Sequence, residues 1–301
     1  MKRNNKISKT VSLVIVFWSL ISVFSGTLCG CQKKYEMNIL TSEIDAGATA
    51  TFTVLHTSDT HLTLCSDTDT AEIKEKSKKR TKRFKNLQES KLNKTANMAK
   101  ENGYYLVHTG DIMDFATDAN IERAKAFFEE TNCLYVPGNH EPEDKESDYY
   151  KKLNAAYRYD IDFYCQEING VNFVGIDNSD HKMTEEQLLK LKEVVAQGKP
   201  IILLVHAPLY TKELYDASVV DDGSAYLMAV PETLMKNYPA EKYAQQKADE
   251  TTYATYDYIV RQDSIKGILC GHLHIDFETK VAGRIPQYVV GLDSLRVITI
   301  K

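Results

Sequence analysis

Five short apolar runs in this chain each stop abruptly at residues that ligate metals. The run 51–56 leads into Thr57-Ser58-Asp59-Thr60-His61, and 105–108 into Thr109-Gly110-Asp111-Ile112-Met113-Asp114. The run 133–136 leads into Pro137-Gly138-Asn139-His140-Glu141, 201–205 into His206, and 265–270 into Gly271-His272-Leu273-His274. Apolar runs of this length, bounded by turn residues, read as buried strands. Each would hand a carboxylate, amide or imidazole to the surface at its C-terminal end. Gly110 lets the backbone turn sharply and approach whatever Asp111 binds. A single Gly-Asp also occurs in ordinary turns; its weight comes from the repetition of the pattern.

Pooled, the strand-end residues are Asp59, His61, Asp111, Asn139, His140, His206, His272 and His274, and they take five of the eight histidines. Imidazole with carboxylate makes a borderline-hard donor set, suited to zinc, manganese or iron rather than calcium or copper(I). His272 and His274 stand two apart, so an extended backbone would turn both to one side.

These five blocks, in this order and each after an apolar run, resemble the calcineurin-like metallophosphoesterase superfamily over about residues 52–274. The resemblance implies an α/β fold, a four-layer sandwich of two mixed β-sheets flanked by helices, with metals above the strand ends. It implies that Asp59, His61, Asp111 and His274 hold a first divalent ion, and that Asp111 bridges to a second completed by Asn139, His206 and His272. It implies phosphoester hydrolysis by attack of a metal-bridging hydroxide, with His140 protonating the leaving group. Two divalent cations less two carboxylates leave a site of about +2, which attracts a phosphate and its transition state. Mn, Fe and Zn all suit the ligands, and mono- and diesters are both open as substrates. One departure stands out: many members carry Arg directly after the second Asp of the Gly-Asp block, where this chain has Phe115. That places a contact to Asp114, or to substrate, in question; Asp114 is expected to orient a histidine rather than to ligate.

The chain has 301 residues, 43% hydrophobic and 26% charged, ordinary globular composition. Its formal net charge of −5 gives no sign of a nucleic-acid surface, and nothing in it marks an oligomeric state. Residues 1–30 read as a lipoprotein signal peptide: Lys2, Arg3, Lys6 and Lys9, then an apolar stretch 11–24 too short to span a bilayer. Leu28-Cys29-Gly30-Cys31 resembles the lipobox of bacterial lipoproteins, with Cys31 the acylated residue because the small Gly30 precedes it. The expectation is export and a lipid anchor on the outer side of a membrane, at the cell surface or in the periplasm. A plain secreted protein and an uncleaved anchor are the other readings of this leader. Residues 31–50 read as a tether and 51–301 as one domain, with insertions near 65–100 and 209–263. The remaining cysteines, Cys65, Cys133, Cys165 and Cys270, match no disulfide framework and are expected to be free and mostly buried.

Residues 71–100 carry eleven Lys and Arg against Glu72, Glu75 and Glu89. They read as a helix with a sparse buried stripe, its charge either a solvated face or a surface for anionic lipid or substrate. The tyrosine-rich insertion reads as packing or as a lid that stacks on the substrate. His56 and His108 are expected in the core and His181 on a solvated loop. Asp177 and Asn178 are expected either at the site rim or in a structural turn. A non-catalytic metal-binding or solute-binding lipoprotein is the competing class, against which stands the intact ligand set.

Overall fold

Alternating and β-branched runs become strands of two sheets in the computed structural model, which describes residues 36–142, 144–219 and 223–301. In the first sheet the order is β1 (Asn38–Ile44), β11 (Ser294–Ile300), β2 (Phe52–Thr57), β3 (Tyr105–His108) and β4 (Leu134–Tyr135). In the second it is β5 (Phe163–Ile168), β6 (Val171–Ile176), β7 (Ile201–Leu204), β8 (Ile265–Cys270), β10 (Ile285–Val289) and β9 (Phe277–Val281). Both sheets are mixed. β2, β3 and β4 run parallel, as do β6, β7, β8 and β10, while β11–β2, β5–β6 and β9–β10 are antiparallel. Helices flank the sheets: α1 (Ala71–Arg83), α2 (Gln88–Asn102), α3 (Asp118–Thr131), α4 (Asp148–Ala156), α5 (Glu185–Val195), α6 (Lys212–Ser218), α7 (Ala240–Gln246) and α8 (Glu250–Ile259). This is the expected α/β architecture.

The strands that carry candidate ligands are the apolar ones because both of their faces are covered. All four residues of β7 are fully buried. Leu188, Leu191 and Val194 of α5 are buried. Thr184 and Gln187 form a capping box at the start of α5. Asn169 and Gly170, both at positive φ, make the tight turn between β5 and β6.

Several expectations need correction. Part of the segment read as a tether, 31–50, is folded: β1 lies parallel to β11, from Asn38 opposite Ser294 to Ile44 opposite Ile300. It sits at a sheet edge with much of its surface open to water, so its composition is polar like a linker's. The compact unit therefore begins at Met37. The basic segment is two helices, because Lys85 and Asn86 adopt left-handed backbone between α1 and α2. Thr117 caps α3: its hydroxyl accepts the Asn120 N–H at 3.1 Å, and Asp118 opens the first turn. In the tyrosine-rich insertion α7 and α8 are separate helices, and Asp249 caps α8. β11 leaves its neighbours β9 and β10 for the first sheet. The leader 1–30 and Cys31 lie outside the described residues.

Candidate metal centre

The loops that leave β2, β3, β4, β7 and β8 bind one another before they could bind anything else. The Asp59 N–H donates to Gly110 O at 3.0 Å, the His61 N–H to Asp111 O at 2.9 Å, and the Gly271 N–H to His206 O at 3.1 Å. A Cβ on Gly110, whose φ is +94°, would lie 2.5 Å from His206 Nδ1 and 2.8 Å from Gly138 N, so this crossing requires glycine. Asp59, His61, Asp111, His272 and His274 are non-glycine residues at φ between 52° and 69°. Left-handed backbone costs about 1–3 kcal/mol per residue. Five such residues in one place mark a constellation held by its surroundings rather than by local preference.

Their side chains converge as two groups that share Asp111. One ligand atom from each of Asp59, His61, Asp111 and His274 fits within a mutual 4.8 Å, and so do atoms of Asp111, His206 and His272. His61 Nε2 lies 3.0 Å from His274 Nε2 and 3.6 Å from Asp111 Oδ2. On the other side His206 Nε2 lies 3.5 Å from the same Asp111 oxygen, 3.1 Å from His272 Nδ1 and 3.2 Å from Asn139 Oδ1. One carboxylate oxygen therefore faces both groups.

This donor set suits divalent cations. Asp59 Oδ1 is buried with no hydrogen-bond partner, 3.3 Å from His274 Nε2. Imidazole nitrogens that face each other at about 3 Å need a proton or a cation among their lone pairs. The protonation pattern agrees. Burial opposes ionisation of Asp59, yet His274, His206 and His61 hold its carboxyl well below the usual range. Burial likewise opposes the charging of His206, but Asp111 pulls it up to about 10. The site thus gathers charge in spite of burial.

Neighbouring groups fix these candidate ligands. The His206 Nδ1–H donates to Thr109 O at 2.7 Å, which leaves Nε2 facing the site. Asn178 Oδ1 accepts the N–H groups of His206 and Ala207, and its amide donates to Ala207 O at 2.7 Å. Of the two roles open to Asn178, the structure gives it the turn. Glu141 directly follows Asn139-His140. Its buried carboxylate accepts from the N–H groups of Asp111, Met113 and Gly138 at 2.8, 3.0 and 2.5 Å, tying two ligand loops together. Burial and the nearby Asp111 push that carboxyl up to about 8. His140 lies beside the first group: its ring centroid is 4.8 Å from that of His61, and its Nδ1–H donates to Asp114 O at 2.9 Å. Its side chain is 32% exposed, which leaves it open to an incoming ligand.

His181, expected on a solvated loop, is fully buried with Nε2 3.0 Å from His272 Nε2. Since His272 Nδ1 faces His206, His181 contacts the far side of that ring. No sequence pattern marks it, because it approaches from an unrelated loop. His56 and His108 are in the core, paired with Thr109 and Thr60 at 2.9 Å, and burial lowers the pKa of both. The four cysteines are free; Cys133 and Cys270 are buried, whereas Cys165 is exposed and Cys65 intermediate. Most insertion tyrosines pack: the hydroxyls of Tyr215, Tyr253 and Tyr256 donate to backbone carbonyls. Tyr226 lies closer to the site, its ring 5.9 Å from that of His272.

Residues 52–276 match the sequence profile of the calcineurin-like phosphoesterases. The chain belongs to that family. Calcineurin-like phosphoesterases are metal-dependent phosphoester hydrolases, and so is this protein. No curated protein sequence matches it. Among solved structures it is similar to a dimetal phosphatase from Danio rerio, at 14% identity over 81% of this chain and 88% of that one, with a TM-score of 0.49. It is also similar to a phosphopantetheinyl hydrolase from Mycobacterium tuberculosis, at 15% identity over 81% and 90% of the two chains, with a TM-score of 0.43.

Proposed function

We propose that this phosphoesterase uses two divalent ions, the first held by Asp59, His61, Asp111 and His274 and the second by Asp111, Asn139, His206 and His272. The observation that carries this reading is Asp111 Oδ2, placed almost equally from His61 Nε2 and His206 Nε2. Such ions would supply Lewis-acid stabilisation of a phosphoryl group and an activated water. The chain's own residues do the rest. Asn139 contributes a neutral oxygen, so the acceptor set carries little charge to repel a phosphate. His140, with Nδ1 committed to Asp114 O, presents Nε2 to the leaving oxygen and protonates it as general acid. Substrates are phosphomonoesters or phosphodiesters. With Mn²⁺, the purified protein is expected to hydrolyse p-nitrophenyl phosphate or bis(p-nitrophenyl) phosphate. Chelation should stop the reaction and Mn²⁺ should restore it. Two bound ions per chain with no turnover of either ester would instead support a retired, non-catalytic site.

The same proposal places the enzyme outside the cytoplasm, tethered through an acylated Cys31. The basic leader, the short apolar core and Gly30-Cys31 support this. Among the described residues no helix is long and apolar enough to cross a membrane, so attachment would rest on the N-terminal segment. Cys31→Ser should move the protein from the membrane fraction to the soluble fraction and remove palmitate labelling. Unchanged fractionation with no label on the parent chain would count against the anchor.

A further inference from the structure

The basic segment 71–100, read from sequence as a solvated face or a lipid surface, turns its inner side onto the first cation site. Arg80 of α1 forks onto Asp114: Nε donates to Oδ2 at 2.5 Å and a terminal nitrogen donates to Oδ1. Asp114 Oδ1 in turn lies 3.2 Å from His61 Nδ1 and 3.5 Å from His140 Nδ1. Phe84, just past α1, stacks flat on the His61 ring, with centroids 4.7 Å apart and planes 9° from parallel. Lys91 of α2 is buried and donates from Nζ to the carbonyls of Ser58 and Asp59, both at 3.0 Å. Ser77 and Gln88 hold Thr63 through its carbonyl and hydroxyl. Every one of these contacts falls on the Ser58–Thr63 loop or on Asp114. None falls on Asn139, His206 or His272.

We propose that α1 and α2 form a clamp that orders the first cation site. Arg80, Phe84 and Lys91 act as positioning residues for Asp59 and His61. Arg80 has a second effect. Atoms of His61, Asp114 and His140 also lie within 4.8 Å of one another, a grouping that could itself take an ion. A guanidinium forked onto Asp114 takes a lone pair of each oxygen and sets a positive charge against the carboxylate, which disfavours a cation there. It also supplies the contact to Asp114 that Phe115 cannot make; Phe115 is buried under Lys76 instead.

The inference rests on the two-ion reading, and the test separates their failures. Mn²⁺ is titrated calorimetrically into metal-free full-length protein. The two binding steps are assigned with His274→Ala for the first site and His272→Ala for the second. In Arg80→Ala and in Phe84→Leu, the step lost in His274→Ala should weaken about 10–100-fold, as expected when a group that orients a metal ligand is removed. The step lost in His272→Ala should stay within about twofold. Arg80→Lys keeps the charge without the fork and should show the same selective loss, which covers an alanine variant that fails to fold. Unchanged steps, or both steps weakened alike in variants that melt as the parent does, would overturn the clamp. A parent chain that takes up fewer than two ions would bring down the two-ion reading itself.

Discussion

Asp111→Asn is expected to lower kcat/KM for a phosphate ester by about a thousandfold or more, through loss of charge at the point both cation sites share. The substitution preserves shape. The His140 N–H that donates to Asp111 Oδ1 at 2.9 Å keeps its acceptor, and the Asp111 N–H keeps its bond to Glu141. The other oxygen becomes an NH₂ group aimed between His61 Nε2 and His206 Nε2, and a donor cannot ligate a metal. Metal analysis should find fewer than two ions per chain, while circular dichroism shows an unchanged fold. A variant that kept both ions and its turnover would remove Asp111 from its proposed role.

His140→Ala is expected to show a loss that depends on the leaving group. An alkyl phosphate ester leaves as a strongly basic alkoxide, so loss of a positioned acid should cost about 10²–10⁴ in kcat. p-Nitrophenolate is a weak base and hardly needs a proton, so its ester should lose roughly tenfold or less. The ring lies beside the first group without belonging to either ligand set, so both ions should remain bound. Parallel rates on the two esters, with metal content measured on the same samples, check this. An equal loss on both would assign His140 to phosphate binding instead of proton transfer.

What the sequence disclosed and what it hid divide along a physical line. A strand that stops at a carboxylate or an imidazole is a local event, written in neighbouring residues, so the ends of β2, β3, β4, β7 and β8 were readable. The Asn169-Gly170 turn and the Thr184–Gln187 capping box are written locally in the same way. Partnerships were not. Arg80 looks like any other cation in a basic run until the fold sets it against Asp114. His181 gives no sign that His272 lies 3.0 Å away. Lys91 reads as one more charge of the basic segment, yet burial lowers its pKa to about 8 and its ammonium donates to two carbonyls of the Ser58–Thr63 loop. β1 escaped notice because an edge strand has one partner and needs little apolar surface, and its partner, β11, is remote in sequence.

The place of β11 bears on how the protein is made. Arg296 pairs with His56, and Ile300 with Phe52, so β2 lacks its antiparallel neighbour until the ribosome has passed residue 300. β1 waits for the same seven residues. Chain closure over such distances is slow and leaves strand edges bare in the meantime. The second sheet, whose strands end at Val289, therefore has all of its strands before the first sheet does.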